Sequence, residues 1–206
     1  MNEIKISVII PCYNQQDLVI KAIDSIPKRD DIEIIVIDDG SIDNTWDSLM
    51  EYRREHEDII NLIYLYNEEN KGVAYTVNRG YDVAKGEYIV LLGSDDYFYT
   101  DKFEEIIKDL DGTDLVYFGV RINNGEEWDL NEETKILLCG SYKFMRRAFI
   151  GETRNPLKIT GEDRPFYMEL LSKNPTEKFT HKIIKHYNHP RNGSLTDLVR
   201  KGLLNE

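Results

Sequence analysis

Apolar and polar positions alternate along the chain in blocks rather than residue by residue. "IKISVIIP" is a β-branched run closed by a proline, and "IEIIVID", "IINLIYLYN", "EYIVLL" and "TDLVYFGV" repeat the type. Runs of this kind read as strands buried on both faces. Between them lie segments with apolar residues at helical spacing. "QQDLVIKAIDSI" places Leu18, Ala22, Ile23 and Ile26 on one face, and "NTWDSLMEYRREHED", "GVAYTVNRGYDVAKG" and "DKFEEIIKDL" follow the same period. Gly86 is expected to end the third of these helices. Five strands separated by helices predict an α/β fold with a mostly parallel sheet covered on both faces.

The later part is less regular. "VRINNGEEWDL" predicts a hairpin turned by Asn-Gly, and "SYKFMRRAFIG" a helix. "EDRPFYMELLSK" opens with acids and a first-turn proline, which suits a helix N-terminus. "EKFTHKIIKHYNH" reads as a strand pair or one long strand. "SLTDLVRKGLL" reads as a terminal helix with Ser194 as N-cap and Leu195, Leu198 and Val199 on the face that packs onto the domain.

In a parallel sheet, ligands bind beyond the carboxyl ends of the strands. Three strand ends here carry polar clusters: "PCYN" after the first, "DDGS" after the second, "SDDY" after the fourth. The topology brings them to one edge. Either acidic pair alone reads equally as turn chemistry or a cap. Two pairs on one edge point to a hard divalent cation, because Mg2+ uses one or two carboxylates together with substrate phosphates.

Composition narrows the classes of ligand. The 206 residues carry a net charge of −12, which disfavours nucleic acid as a partner, since phosphate affinity comes mainly from Lys and Arg. The same balance disfavours a polybasic membrane anchor. No apolar stretch approaches the roughly 20 residues of a membrane span, and "MNEIKISVII" lacks the basic leader and cleavage site of a signal peptide. The cytoplasm is the expected location. Cys12 and Cys139 have no metal-type spacing and read as reduced, buried thiols.

Four stretches occur in order: "SVIIPCYNQQDLVIKAIDSI", "IIVIDDGSIDNTWDSL", "NKGVAYTVNRGYDVAKGEYIVLLGSDDYF" and "GEDRPFYMELL". Together they resemble the family 2 glycosyltransferases of the GT-A fold. The resemblance is dense from residue 4 to about 120, thins through 121–160, and returns at "GEDRPF" and more weakly at "HYNHPRNGS". It implies a single domain, 1–206, a Rossmann-like sandwich with a small α+β acceptor side. Residues 1–112 would take the nucleotide-sugar and 113–206 the acceptor.

The implied chemistry is inverting transfer of a hexosyl or N-acetylhexosaminyl group from a nucleoside-diphosphate sugar, most simply UDP-linked, assisted by Mn2+ or Mg2+. The acceptor hydroxyl would belong to a glycan, a lipid-linked sugar or a protein. No membrane-spanning segment is implied, and peripheral association remains compatible. By resemblance, Pro11, Tyr13, Asn14, Asp38, Asp39, Asn70, Lys71, Gly72, Ser94 and Asp96 contact the nucleotide. Asp95 and Asp96 hold the metal. Asp163 is the general base, with Glu162 beside it to raise its pKa. His189 and Arg191 are candidate diphosphate contacts.

One position departs from the pattern. Many members carry Asp-x-Asp-Asp where this chain has Gly93-Ser94-Asp95-Asp96. That departure keeps open a non-catalytic nucleotide-sugar-binding protein of the same fold. A nucleotidyltransferase is disfavoured, because "PCYNQQD" has neither the Gly-rich loop nor the basic residue such enzymes place after the first strand.

Overall fold

The computed structural model describes residues 3–56, 61–136, 140–158 and 161–191, with 197 and 201 beyond them. The expected terminal helix with Ser194, Leu195, Leu198 and Val199 lies outside the described residues, as does Cys139. Cys12 is free and buried.

The apolar runs form strands as expected: β1 (Ile6–Cys12), β2 (Ile32–Asp38), β3 (Leu62–Tyr66) and β4 (Tyr88–Leu91). They pair in parallel in the order β3-β2-β1-β4. Helices α1 (Val19–Asp24), α2 (Thr45–Glu55) and α3 (Val73–Val83) connect them. The chain steps outward from β1 to β3, then returns over the sheet to β4. Right-handed crossovers therefore put α1 and α2 on one face and α3 on the other. Accordingly α1 packs on α2, while α3 packs across β1 and β2.

The helix α3 stops at Val83, before Gly86, with Ala84 in an extended conformation. Gly86 thus does not end the helix. A Cβ there would lie 2.5 Å from the Ser7 amide nitrogen, so glycine is required by the close approach to β1. The same corner holds the buried Glu33 in β2. Its carboxylate accepts hydrogen bonds from the Ser7 hydroxyl at 2.5 Å and the Lys85 amide at 2.5 Å.

Past β4 the sheet becomes mixed. It continues through β5 (Tyr97–Phe98), α4 (Thr100–Ile106), β6 (Leu115–Ile122), β7 (Glu127–Trp128), β8 (Lys143–Arg146), α5 (Arg147–Ile150), α6 (Asp163–Ser172) and β9 (Glu177–Tyr187). The full order is β3-β2-β1-β4-β8-β6-β9-β5, with β7 paired to β6. Only β5, β7 and β8 run against the others. The Asn-Gly hairpin forms between β6 and β7, and "EKFTHKIIKHY" is one long strand.

"SYKFMRRAFIG" departs from the expected helix. Its first half is β8, lodged between β4 and β6, with Phe144 opposite Val90 and Val116 and fully buried. Pairing on two sides overrides local helical preference. Only Arg147–Ile150 is helical. The helix α6 lies on the α3 face, where Phe166 stacks on Tyr81 with centroids 5.5 Å apart. Among the described residues no helix is long and apolar enough to cross a membrane.

Candidate active site

The strand order reverses between β1 and β4, and the crevice at their carboxyl ends opens there. Two adjoining cavities occupy it. One, of about 840 Å³, is walled by residues 11–15, Asp39, residues 70–74, Gly93, Ser94, Asp95 and Arg191, with Leu157 and Lys158 at its rim. The other, of about 360 Å³, is walled by Tyr81, Tyr142, Glu162, Asp163, Phe166 and Tyr187, among others. Pro11, Val73 and Gly93 belong to both walls and mark the join.

Asp39 organises the larger cavity. One carboxylate oxygen accepts the Lys71 amide at 2.9 Å and the Asn67 side-chain amide at 2.6 Å; the other accepts the Gly72 amide at 2.9 Å. It thereby fastens the turn that starts α3. Gly40 makes the approach feasible: its φ is +70°, and a Cβ there would sit 2.5 Å from the backbone of Glu69. Across the crevice, Asn14 ties the first loop to the second, its amide donating to the Ser41 hydroxyl at 2.9 Å and its side-chain oxygen accepting the Ile42 amide at 3.0 Å. Tyr13 is 39% exposed and lines the cavity. The Lys71 side chain pairs with Glu69 at the surface.

Asp38 differs from its sequence expectation. It is fully buried and lies off the cavity wall. One oxygen accepts the Ser41 amide at 3.0 Å and hydroxyl at 2.5 Å. The other has no hydrogen-bond partner, and burial raises the carboxyl pKa. Strand pairing places this side chain under the turn that presents Asp39.

The "SDD" turn also splits its two acids. Asp95 lines the larger cavity, and Arg191 Nε lies 2.7 Å from its Oδ2, a charge contact without an aligned hydrogen bond. Burial and then the Asp96 charge push the Asp95 pKa up. Asp96 does not reach either cavity wall. Its Oδ2 pairs with Lys185 Nζ at 2.9 Å, and its Oδ1 accepts the Asn188 amide at 2.9 Å. Asp96 thereby fastens the turn to β9, off the walls where its expected nucleotide and metal contacts would lie. Lys185 was not among the residues the motifs singled out, and a lone lysine inside a long strand carries no local signal of such a role.

Asp95 presents a carboxylate in a cavity wall, the kind of oxygen donor a hard cation takes, and a bound cation would compete there with Arg191. Among the described residues no group of three or more Asp, Glu, His or Cys forms a ready-made cage. The Asp95 carboxylate would suit a cation completed by a ligand's phosphate oxygens.

On the other side of the join, Asp163 begins α6 and Glu162 precedes it. The Glu162 pKa is raised, first by burial and then by the Asp163 charge. His189 does not join Arg191 at the larger cavity. Its ring instead stacks on Tyr187, 5.2 Å away and 8° from parallel, and its carbonyl accepts the Asn123 amide at 3.1 Å. Those contacts hold it against Tyr187, which walls the smaller cavity, and away from the larger cavity where the expected diphosphate contact would lie.

Comparisons with known proteins agree with this architecture. The model of the family described as "Glycosyl transferase family 2" matches residues 7–190. The poly(ribitol-phosphate) beta-glucosyltransferase of Bacillus spizizenii is 37% identical over 97 residues, covering 45% of this chain and 15% of that protein. The structure of S. aureus TarS 1–349 in complex with UDP-GlcNAc superimposes with a TM-score of 0.80 at 22% identity, covering 94% of this chain and 61% of that one. The mannosyltransferase PcManGT from Pyrobaculum calidifontis, in complex with GDP-Man and Mn2+, gives 0.75 at 17% identity, with 98% and 61% covered. The chain spans a small part of the curated relative and under two thirds of both structures. The structural likenesses carry the GT-A fold, and the family match covers most of the chain. The chain belongs to glycosyl transferase family 2, a family of enzymes.

Proposed function

We propose that the chain transfers a sugar, with inversion, from a UDP-linked donor to an acceptor hydroxyl, with Asp163 as general base. The observation that carries this reading is the join at Gly93, which connects a nucleotide-sized cavity to one holding Glu162 and Asp163. A donor lying across the join puts its anomeric carbon between the two. Asp163 then takes the proton of an acceptor hydroxyl attacking from the side opposite the leaving diphosphate. Bond breaking runs ahead of bond making, as at other oxocarbenium-like centres.

Residues of the segment 1–112 supply the nucleotide contacts: Pro11, Tyr13, Asn14, Asp39, the 70–72 turn and Ser94. Residues 113–206 supply the base and the acceptor wall. UDP is favoured as the carrier by the TarS complex with UDP-GlcNAc. Asp95 would hold Mn2+ or Mg2+ together with the diphosphate, a use supported by the Mn2+ complex of PcManGT. A bound cation would offset charge on the departing diphosphate. Arg191, at the same wall, supplies a second positive charge there. The acceptor is a glycan, a lipid-linked sugar or a protein, and the setting is the cytoplasm.

One observation favours a second reading. Asp95 and Asp96 are each already faced by a cation of the protein, Arg191 and Lys185, and Gly93 withholds the family's further carboxylate. A protein that binds nucleotide-sugar without transfer fits those facts. Calorimetric titration with UDP, GDP, CDP and dTDP, each with and without Mn2+, tests the site. Metal-dependent binding of UDP that Asp95→Asn abolishes supports the transferase. No binding of any nucleotide sinks it, and binding without turnover of the bound UDP-sugar favours the second reading.

A further inference from the structure

A row of aromatic rings leads away from the base side of the crevice. Tyr142 and Tyr187 stand in the wall that also holds Asp163, with centroids 5.9 Å apart. His189 stacks on Tyr187. Trp128 completes the row, 5.6 Å from His189 and 6.0 Å from Tyr187. The rings come from three separate segments of chain, so their meeting is a product of the fold.

The row is held in place. At the hairpin turn, Asn123 donates its amide to the His189 carbonyl at 3.1 Å and its side-chain N–H groups to Asn188 Oδ1 at 2.9 Å and the Pro190 carbonyl at 3.2 Å. The Trp128 indole N–H donates to Glu126 at 2.9 Å, which fixes the ring. Trp128, Tyr187 and His189 are half-buried, so the residues are neither sealed in the core nor fully in water.

We propose that Trp128, Tyr187 and His189, continuing from Tyr142, form a stacking platform for a pyranose ring of the acceptor. The assignment rests on the reading of Asp163 as the base. A pyranose offers an apolar C–H face to an aromatic ring and hydroxyls to a polar rim; half-buried aromatics with polar tips match both needs. The carboxylates of Glu126, Glu162 and Asp163 around the row would repel a phosphorylated peptide or an anionic lipid headgroup. They accept readily from sugar hydroxyls. The platform directs the next hydroxyl of a saccharide toward Asp163, and it places acceptor selection in the segments where the family resemblance is thinnest.

The chain has two tryptophans, Trp46 and Trp128, so Trp46→Phe leaves Trp128 as the sole reporter. Its emission is titrated, with UDP present, against methyl β-D-glucopyranoside, methyl N-acetyl-β-D-glucosaminide, octyl β-D-glucopyranoside monomers and glycerol. A saturable change is expected with at least one glycoside and none with glycerol. His189→Ala should weaken that glycoside about tenfold and His189→Phe restore it, the loss expected for one aromatic contact. Equal affinity for methyl and octyl forms identifies a glycan end; tighter octyl binding identifies a lipid-linked sugar. No saturable change with any glycoside, a matching response to glycerol, or an unchanged affinity in His189→Ala overturns the platform. Calorimetry of UDP on the same proteins separates the two readings: glycoside binding without nucleotide binding sinks the transferase, and with it the acceptor role of the platform, and leaves a saccharide-binding site.

Discussion

Lys185 Nζ lies 2.9 Å from Asp96 Oδ2, and both side chains are closed to solvent. The pair joins the turn after β4 to β9, nearly ninety residues further along. Removing one partner strands the other charge in the interior. Lys185→Met should therefore cost about 3–5 kcal/mol of folding free energy. Adding Asp96→Asn to that variant should recover part of the loss. Urea denaturation of the wild type and both variants reads the two differences.

Asp39 accepts three N–H groups from the segment 67–72. An asparagine keeps one acceptor oxygen and turns an NH2 toward amides that also donate. Asp39→Asn should cost about 1–3 kcal/mol, the penalty for a stranded buried donor. It should also weaken UDP, because the turn lines the nucleotide-side cavity. Thermal melting and calorimetry on the same variant measure both effects, and an unchanged UDP affinity would remove Asp39 from the binding role.

Asp163 lines the smaller cavity, and the proposed nucleotide contacts, Pro11 at the join apart, lie on the larger one or beside it. Asp163→Asn should abolish transfer, a loss of at least about 100-fold for a positioned base, with UDP affinity left close to wild type. Loss of both in the variant would reassign Asp163 to the nucleotide side.

Glu162 carries a sign that can be checked. Burial and Asp163 raise its folded pKa above that of the unfolded chain. The folded form then holds the proton more tightly, so this group removes stability as pH climbs through the interval from the unfolded to the raised folded pKa. Below that interval both states are protonated and the effect vanishes. Glu162→Gln should match the wild type near pH 4 and be more stable than it at about pH 7. Equal stabilities at both pH values would show that the carboxyl is not held up.

The walls of the crevice were legible because local patterns set them. The runs "ISVIIPC" and "IEIIVID" can only be buried strands, and "DDGS" and "SDD" follow strand ends, so both had to meet on one edge. What answers those acids was not legible. Lys185 and Arg191 arrive from β9 and the loop after it, and no periodicity links them to Asp96 and Asp95. The role of His189 depends on Tyr187 and Trp128, rings on different segments. The strand β8 was missed for a related reason: Phe144 pairs with Val90 and Val116, and a slot between two distant strands leaves no trace in "YKFMRR". Gly86 shows the converse, a residue with a familiar local meaning whose cause is Ser7 on a neighbouring strand.

The position of β8 also orders events in time. Strands β1 to β3 find all their partners, and β4 one of its two, among residues 6–91. The next strand outward from β4 is not β6, which follows it in sequence, but residues 143–146. Until they arrive, β4 keeps an open edge and β6 has nothing to bridge it to the rest. On a chain growing from its N-terminus, the wall bearing Asp39 is therefore complete long before Arg191 exists to face Asp95, and the crevice becomes a crevice only at the last step.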